Sequence, residues 1–318
     1  MTLKVLGLQN GPYQENSSYE EQINQLSAHF EQVLADSPEV DLVIFPELMT
    51  SPYFCMFQDD LFFSLAEPLK GKTYQHFSQK AQNHQVNIVV TIFEKEEYNG
   101  ETHFYNTALL ISDSGELIGH YRKTHIPTLV LPTLSTNEAY YFERGTEFPV
   151  FELKGYKIGL LICFDRSFPE AARTLAEQGA ELIIIPTAAS GEDRKSTWLA
   201  ECASRAMENG VYVMGVNRAG EESLNLHARS DLSFFGLSCL YGPSGQEIFT
   251  LDSTPWTHLS VTIEKEAIRQ TRSKLNFLNF IQSDLYKTNS NELQAVRKFK
   301  LEQEIPPLFR PEGAVSSE

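Results

Sequence analysis

The two halves of the chain repeat the same succession of apolar segments, amphipathic stretches and turns. Residues 4–10 match 157–163, residues 40–47 match 180–187, and residues 104–121 match 235–251, in the same order along the chain. Stretches with helical periodicity lie between them, at 18–34, 73–84, 169–178 and 196–209. Each half is therefore predicted to run strand, helix, strand, helix, strand, and then a hairpin whose turn contains Ser-Gly.

This repeat also predicts how the layers stack. The strands at 42–45 and 182–185 are apolar without alternation, so both faces of each must be covered. Helices can cover one face of each sheet, and the sheet of the other half can cover the second. We expect an α/β fold, a four-layer αββα sandwich in which two similar mixed sheets pack face to face with helices outside. Since no Pro-, Gly- or Ser-rich linker separates the halves, we expect one domain over residues 1–263.

A cysteine stands where an apolar strand of the second half ends. Cys163 is followed by a short turn and by the helix predicted from Pro169. Such a strand-to-helix turn holds a nucleophile at the mouth of a site. The partial positive charge of the helix N-terminus is expected to favour the thiolate. The simpler alternative is a small residue of the core.

Two charged residues could complete a site with this thiol. Glu47 ends an apolar strand of the first half, at a position comparable to Cys163, and ligands collect at such strand ends. A carboxylate beside a thiol can take its proton and later pass it to a leaving amine, although an exposed loop carboxylate is equally consistent. Lys123 follows the first hairpin and is either a solvated surface residue or a group that stabilises an oxyanion. His125 beside it is expected to form structural hydrogen bonds.

Three segments, in order, resemble the signatures of the nitrilase superfamily of carbon–nitrogen hydrolases. They are Phe-Pro-Glu at 45–47, Arg-Lys-Thr-His at 122–125, and Ile-Cys-Phe-Asp-Arg-Ser-Phe-Pro-Glu at 162–170, within a similarity from Leu3 to about Ile263. The resemblance implies an αββα sandwich and makes residues 1–263 a carbon–nitrogen hydrolase domain. It also implies a catalytic set of Glu47, Lys123 and Cys163.

A second glutamate of the family lies between the lysine and the cysteine, before an aromatic pair and a Pro-Gly. The segment 137–145 is similar to this region, which assigns the position to Glu138 with Glu143 as the alternative. Arg144 stands where the family usually has the proline. The resemblance therefore implies Glu138 as a fourth catalytic residue.

Segments 168–181 and 234–245 are similar to the N-carbamoylputrescine and N-carbamoyl amino acid hydrolases of the superfamily. Its nitrilase branch usually has Trp-Glu directly after the cysteine, where this chain has Phe164-Asp165. The resemblance thus implies a thiol-dependent hydrolase that cleaves a linear amide or an N-carbamoyl compound through a thioester and releases ammonia or an amine. A nitrilase, an acyl transferase that uses the same thioester, and a catalytically silent binding scaffold are the alternatives.

The substrate is expected to contact Arg166, Phe164 and Tyr53, in a pocket that loops such as 50–60 and 129–136 supply. A guanidinium binds a carboxylate with two parallel hydrogen bonds, so Arg166 is a candidate for binding an acid-bearing substrate. The alternative is that Arg166 pairs with Asp165 or Glu170.

Composition narrows the partners. A formal net charge of −16 argues against nucleic-acid binding, which requires a basic face. No apolar run is long enough to span a membrane, and the first strand begins within four residues of Met1, so neither membrane attachment nor a signal peptide is predicted. The four cysteines show neither metal-ligand spacing nor a disulfide pattern. We therefore expect a cytoplasmic enzyme without a metal or cofactor.

The pattern changes after Ile263. Family members carry a comparable segment, which ends in a Leu-Tyr like Leu285-Tyr286 and crosses to a partner subunit. By this resemblance, residues 264–310 are an arm at the interface of a homodimer or higher homo-oligomer. An arm packed on its own domain is the alternative. Residues 311–318 are small and acidic, and their composition predicts disorder.

Overall fold

The computed structural model describes residues 1–14, 17–37, 39–130, 135–225 and 229–286. Its strands are β1 (Thr2–Gln9), β2 (Leu42–Ile44), β3 (Asn87–Tyr98), β4 (Glu101–Ile111), β5 (Leu117–Arg122), β6 (Thr128–Val130), β7 (Ser135–Asn137), β8 (Val150–Leu153), β9 (Tyr156–Leu160), β10 (Leu182–Thr187), β11 (Tyr212–Asn217), β12 (Ala219–Asn225), β13 (Arg229–Phe235), β14 (Cys239–Tyr241), β15 (Glu247–Thr250) and β16 (Thr257–Glu264). Its α-helices are α1 (Tyr19–Asp36), α2 (Lys72–His84), α3 (Pro169–Glu177), α4 (Glu192–Asn209) and α5 (Lys265–Lys274). Short 3₁₀ helices cover Asp60–Leu65, Glu138–Tyr140, Cys163–Ser167 and Phe277–Phe280.

The strands form two six-stranded sheets with the same internal order. The first sheet runs β16-β1-β2-β3-β4-β5, and the second runs β8-β9-β10-β11-β14-β15. In each sheet the three strands after the first edge strand are parallel to one another, and the remaining neighbours are antiparallel. Two-stranded ribbons, β6-β7 and β12-β13, are attached to this framework. The predicted repeat of strands is confirmed in the sheet order.

One edge strand comes from an unexpected part of the chain. The first sheet takes β16, which follows the second half in sequence and pairs antiparallel with β1, Val5 lying opposite Val261. In the second sheet the equivalent strand is β8, which directly precedes β9. The sequence repeat does not show this exchange, because β1 and β16 pair in space but are far apart along the sequence.

Alternating side chains of the central strands face two different layers. On β2, Leu42 and Ile44 join a buried cluster that also contains Leu160 and Ile184 of the second sheet. The intervening Val43 packs instead in a cluster with residues of α1 and α2. Gly7 on β1 marks a close approach of the sheets, because a Cβ there would lie 2.8 Å from Met214 Cε on β11. These contacts, with α3 and α4 packed on the second sheet, confirm the four-layer αββα sandwich.

Local signals explain the helix ends. Ser18, where the predicted helical stretch begins, caps α1 in a capping box with Glu21. The helix α4 begins at Glu192, four residues before the predicted start at Ser196, because Glu192 and Asp193 in its first turn favour a helical N-terminus. Among the described residues, no helix combines the length and apolar character needed to cross a bilayer.

The two predicted hairpins are equivalent in detail. In the β4–β5 hairpin the N–H of Gly115 donates to the carbonyl of Ser112, and in the β14–β15 hairpin Gly245 donates to Gly242, both at 2.8 Å. Gly115 and Gly245 have φ values of +83° and +79°, which side chains other than glycine rarely adopt. Lys123 is the residue directly after β5, so the first hairpin sets its position.

Candidate active site

The carboxyl ends of β2 and β10 meet at one edge of the facing sheets. The N–H of Ala188 donates to Glu47 Oε2 at 2.9 Å, and the N–H of Glu47 donates to the carbonyl of Thr187 at 3.4 Å. Because β2 and β10 hold equivalent places in their sheets, Glu47 contacts its own counterpart in the repeat. Cys163 follows β9, which lies beside β10 in the second sheet, whereas Glu47 follows β2, the counterpart of β10 in the first sheet. The prediction that Glu47 and Cys163 hold comparable positions in the repeat is therefore wrong by one strand.

Three charged side chains form a buried cluster at this edge. Lys123 Nζ lies 2.8 Å from Glu47 Oε1 and 2.7 Å from Glu138 Oε2. Glu47 and Lys123 have no exposed surface, and Glu138 has 1%. The structure thus brings together Glu47, Lys123 and Glu138. The alternative that Lys123 is a solvated surface residue is wrong, because the side chain is fully buried.

The second glutamate is placed by geometry. Glu138 begins a 3₁₀ turn after β7, and Tyr53 donates its hydroxyl to Glu138 Oε1 at 2.9 Å. Glu143, the alternative, lies at the surface and contacts His103 at 2.7 Å. Of these two glutamates, Glu138 contacts Lys123 and Glu143 contacts His103, a difference that the spacing in the sequence does not show.

Charge and burial shift the pKa values of this cluster. Burial opposes the charged form of Lys123, but the carboxylates of Glu138 and Glu47 outweigh it and hold the pKa of Lys123 well above its ordinary value. Burial, together with the nearby Glu47 carboxylate, raises the pKa of Glu138 to about 7, although Lys123 opposes that shift. Lys123 is therefore a fixed positive charge at neutral pH, while Glu138 is close to its titration point.

Cys163 begins a 3₁₀ turn directly before α3, as the strand-to-helix pattern predicts. Its φ of +45° is unusual for a residue with a side chain, and such strained positions are typical of functional sites. Burial, and then the Glu47 carboxylate, raise the pKa of the Cys163 thiol to about 12, against the effects of Lys123 and Arg166. The expected thiolate is therefore wrong for the resting site, because lost hydration outweighs the helix N-terminus. The thiol needs a base, and Glu47 is close enough to influence it.

The turn that carries Cys163 also exposes a backbone donor. Asp165 donates its N–H to the carbonyl of Ile162 at 3.0 Å, which closes the first turn of the 3₁₀ helix. The N–H of Phe164 precedes that bond and so has no acceptor inside its own helix. Of the charged donors near the thiol, Arg166 Nη1 lies 3.7 Å from Cys163 Sγ, and the Lys123 ammonium favours the thiolate.

Asp165 connects the two signature segments, a role that sequence reasoning missed. Its Oδ1 accepts from the N–H of His125 at 2.9 Å and lies 2.7 Å from His125 Nδ1. Its Oδ2 accepts from the Tyr121 hydroxyl at 2.8 Å. The predicted structural hydrogen bonding of His125 is confirmed. The available sequence signal for Asp165 was an acid within the turn that begins at Cys163.

Arg166 lines the pocket, but its guanidinium is held by groups of the protein. Its Nε lies 2.8 Å from Glu201 Oε2, its Nη1 donates to the carbonyl of Cys163 at 2.8 Å, and only 1% of the side chain is exposed. The partner is Glu201 on α4, not Asp165 or Glu170 as the alternative had it. This arrangement disfavours Arg166 as the ligand of a substrate carboxylate.

A narrow pocket of about 30 Å³ opens onto Cys163. All three predicted substrate contacts, Tyr53, Phe164 and Arg166, line it, and the loops around 50–60 and 129–136 supply walls as expected. Residues 131–134 of the second loop lie outside the described part of the chain. The remaining lining residues are Pro127, Leu129, Thr136, Glu138, Ala188, Ala189 and Arg194.

Asn106 supports Glu47 from β4, donating its side-chain amide to Glu47 Oε1 at 2.8 Å. Sequence reasoning missed Asn106, because the residue stands inside an ordinary strand pattern. It fixes the carboxylate oxygen that Lys123 also contacts, and so orients the base toward its neighbours.

A buried ion pair supports the turn after Glu47. Arg218 donates to the carbonyl of Glu47 at 3.0 Å, to that of Ser51 at 2.9 Å and to that of Leu48, and it pairs with Glu222 at 3.1 Å. Glu222 in turn accepts the N–H of Tyr53 at 2.7 Å. The pair thereby holds both Glu47 and Tyr53 in place. The sequence pattern does not show this support, because Arg218 and Glu222 are far in sequence from the turn that they contact.

All four cysteines of the chain are free thiols, and three of them are buried. In the described ranges, no cluster of His, Cys, Asp or Glu has an arrangement suited to a metal ion.

Comparison with known proteins agrees with this geometry. The carbon–nitrogen hydrolase family matches residues 8–273. The chain is 33% identical to a probable nitrilase of Schizosaccharomyces pombe, over 83% of this chain and 91% of that protein. It is 32% identical to an N-carbamoylputrescine amidase of Arabidopsis thaliana, over 80% of this chain and 85% of that protein. A carbon–nitrogen hydrolase from Helicobacter pylori superposes with a TM-score of 0.82 at 28% identity, covering 92% of this chain and 98% of that one. The chain belongs to the carbon–nitrogen hydrolase family of the nitrilase superfamily.

Proposed function

We propose that the protein hydrolyses a non-peptide carbon–nitrogen bond of a linear amide or an N-carbamoyl compound through a thioester on Cys163. The observation that carries the proposal is a thiol that lines a narrow pocket, close to a cluster in which the buried Glu47 carboxylate pairs with the Lys123 ammonium. A nucleophile, a base and an oxyanion donor are what acyl transfer requires. The family and its amide-cleaving relative support the same chemistry.

In the first half-reaction, Cys163 Sγ bonds to the substrate carbonyl carbon as Glu47 takes the thiol proton. The carbonyl oxygen becomes an oxyanion, which Lys123 Nζ and the N–H of Phe164 stabilise. Glu47 then passes the proton to the substrate nitrogen, the carbon–nitrogen bond breaks, and ammonia or an amine leaves. A thioester on Cys163 remains.

The second half-reaction uses the same groups. Glu47 takes a proton from a water molecule as its oxygen bonds to the thioester carbon. Collapse of the resulting oxyanion breaks the carbon–sulfur bond, and the proton returns to the sulfur. Glu138, like Glu47, accepts a hydrogen bond from Lys123 Nζ, and we assign it the positioning of that ammonium.

Activity should depend on Glu138 ionisation. We expect kcat/KM to fall below an apparent pKa of about 7, because protonated Glu138 no longer balances Lys123. In Glu138→Gln the rate should drop on the order of 10²-fold and this acid limb should vanish. Glu143→Gln, which changes the surface glutamate, should keep both the rate and the limb. A limb near pH 7 that survives in Glu138→Gln would assign the titration to another group.

Ammonia release across simple amides, ureido acids and nitriles tests the proposed reaction. We expect turnover of amides or N-carbamoyl compounds and little turnover of nitriles, since Phe164-Asp165 replaces the Trp-Glu typical of nitrilases. The similarity to a probable nitrilase makes a nitrile the competing substrate class. Faster turnover of nitriles would reverse the assignment, and no turnover of any class would favour a binding scaffold.

We also propose that the segment after Ile263 mediates a homodimer in a reducing, cytoplasmic setting. Beyond α5 the chain exposes Phe280, Leu285 and Tyr286 at 67%, 72% and 65%. These apolar side chains would be covered by a second copy, and the free thiols suit a reducing compartment. Residues 287–310 of the predicted arm and 311–318 of the predicted tail lie outside the described residues. Light scattering at micromolar concentration should give the mass of a dimer, and a truncation after Ile263 should give a monomer. A monomeric full-length chain would refute this.

A further inference from the structure

One wall of the pocket carries two arginines that share a single carboxylate. Glu201 on α4 lies 2.8 Å from Arg166 Nε through its Oε2, and 3.0 Å from Arg194 Nη2 through its Oε1. Ser167 reinforces the group, since its hydroxyl donates to Glu201 Oε1 at 2.9 Å and accepts from Arg194 Nη2 at 2.8 Å. Two guanidinium groups and one carboxylate leave one positive charge without an acidic partner in the cluster.

The cluster around Lys123, which reaches the pocket through Glu138, has a net charge of the opposite sign. Glu47 and Glu138 share Lys123, so that cluster holds two carboxyl groups and one ammonium. Among the described residues that line the pocket, the only acid is Glu138, which is paired with Lys123. The excess positive charge on the wall is therefore not neutralised from within the pocket.

Of the two arginines, Arg194 is the one that can reach a ligand. Arg166 is 1% exposed and donates to the carbonyl of Cys163, whereas 18% of the Arg194 side chain is exposed. In the described part of the chain, Arg194 donates to oxygen acceptors through Nη2 alone, and Nε and Nη1 have no acceptor. Its guanidinium carbon lies 5.9 Å from the centre of the Phe164 ring, beside the nucleophile.

We propose that Arg194 binds the carboxylate of the substrate, which makes the preferred substrate an N-carbamoyl amino acid or another amide that bears an acid group. The inference rests on the proposed hydrolysis at Cys163 and names its substrate class. Glu201 and Ser167 hold Arg194 Nη2, so the other two donors are oriented before the ligand arrives. The carboxylate supplies the second acid that the Arg166–Arg194–Glu201 cluster lacks. The role predicted for Arg166 from the sequence thus passes to Arg194.

Three substrates of similar length and different charge test this assignment. They are N-carbamoyl-β-alanine, which is anionic, propylurea, which is neutral, and N-carbamoylputrescine, which is cationic. For the wild-type protein we expect the highest kcat/KM with the anion. In Arg194→Gln that value should fall about 10- to 100-fold, mainly through KM, as expected for the loss of a hydrogen bond to a charged group. Turnover of propylurea should stay within about threefold, and Arg194→Lys should recover part of the loss.

Lys195→Gln is the matched control, because it removes a positive charge from the same helix turn at a residue that does not line the pocket. This variant should not alter kcat/KM for any one of the three substrates relative to the others. Equal losses on all three substrates in Arg194→Gln would mark Arg194 as structural, and preferred turnover of the cation would overturn the inference. If the wild-type protein hydrolyses propylurea as fast as the two charged substrates, the inference about Arg194 is overturned but the proposed function stands. If it hydrolyses none of the three, the proposed function is overturned as well.

A second readout needs no turnover. Butyrate should slow iodoacetamide labelling of Cys163 at lower concentration than butylamine does, and Arg194→Gln should abolish this difference. Equal protection by both compounds in the wild-type protein would contradict carboxylate binding, whatever the protein hydrolyses.

Discussion

Replacing Cys163 with alanine is expected to lower turnover on the order of 10⁶-fold, the scale seen when a covalent nucleophile is removed. The thiol lines the pocket, stands at a strained backbone position and lies under the influence of Glu47 and Lys123. Without its sulfur no thioester can form, and the remaining donors can only polarise a bound carbonyl. Initial rates of ammonia release measure the effect, and the thermal unfolding midpoint shows whether the variant folds.

The other three cysteines supply the control. Cys55, Cys202 and Cys239 are fully buried and none of them lines the pocket. Alanine at each of these positions should lower the unfolding midpoint through a small cavity but keep most of the activity. Rapid turnover by Cys163→Ala, or a comparable loss in one of the three, would assign the nucleophile elsewhere.

Replacing Lys123 with methionine should abolish acylation. Removing one preorganised oxyanion donor costs roughly 3–4 kcal/mol of barrier, or on the order of 10²–10³-fold in rate. Here the change also leaves Glu47 and Glu138 without the ammonium between them. One of the two buried carboxylates is then expected to take up a proton, which further weakens the base.

Lys154→Met is the matched control for this variant. Lys154 also pairs with a carboxylate, Asp41, at 2.9 Å, but 42% of its side chain is exposed. Exposed pairs contribute at most about 1 kcal/mol, so activity and stability should barely change. Removing one partner of a buried pair costs about 3–5 kcal/mol, so Lys123→Met should lower the unfolding midpoint measurably while the protein still folds at low temperature. Near-normal acylation in Lys123→Met would mean that this ammonium has no part in the chemistry.

The layers could be predicted from the sequence because burial on both faces leaves a simple trace. Apolar runs such as 42–45 and 182–185 require cover on both sides, and their repetition implies two similar sheets. The exchange of β16 into the first sheet left no such trace. Edge strands pair through backbone groups, which carry no residue code, and here the partners are separated by nearly the whole domain.

The site was predictable only where a short segment carries the chemistry. Glu47, Lys123 and Cys163 each end a recognisable strand pattern, so they could be named from local sequence together with the family resemblance. Asp165 and the Arg218–Glu222 pair act through contacts between distant segments, which the pattern of either segment does not show. The pKa of Cys163 was misjudged for the same reason, because desolvation depends on the assembled pocket and not on the adjacent helix.

The central claim is a covalent thioester on Cys163, and rapid-quench peptide mass spectrometry tests it most directly. Wild-type protein mixed with a turned-over amide and quenched in acid should carry the acyl group on the peptide that contains Cys163. Cys163→Ala should carry none, and Lys123→Met should accumulate it at least about 10²-fold more slowly. An acyl group on a different residue, or rapid steady-state turnover by Cys163→Ala, would contradict the account.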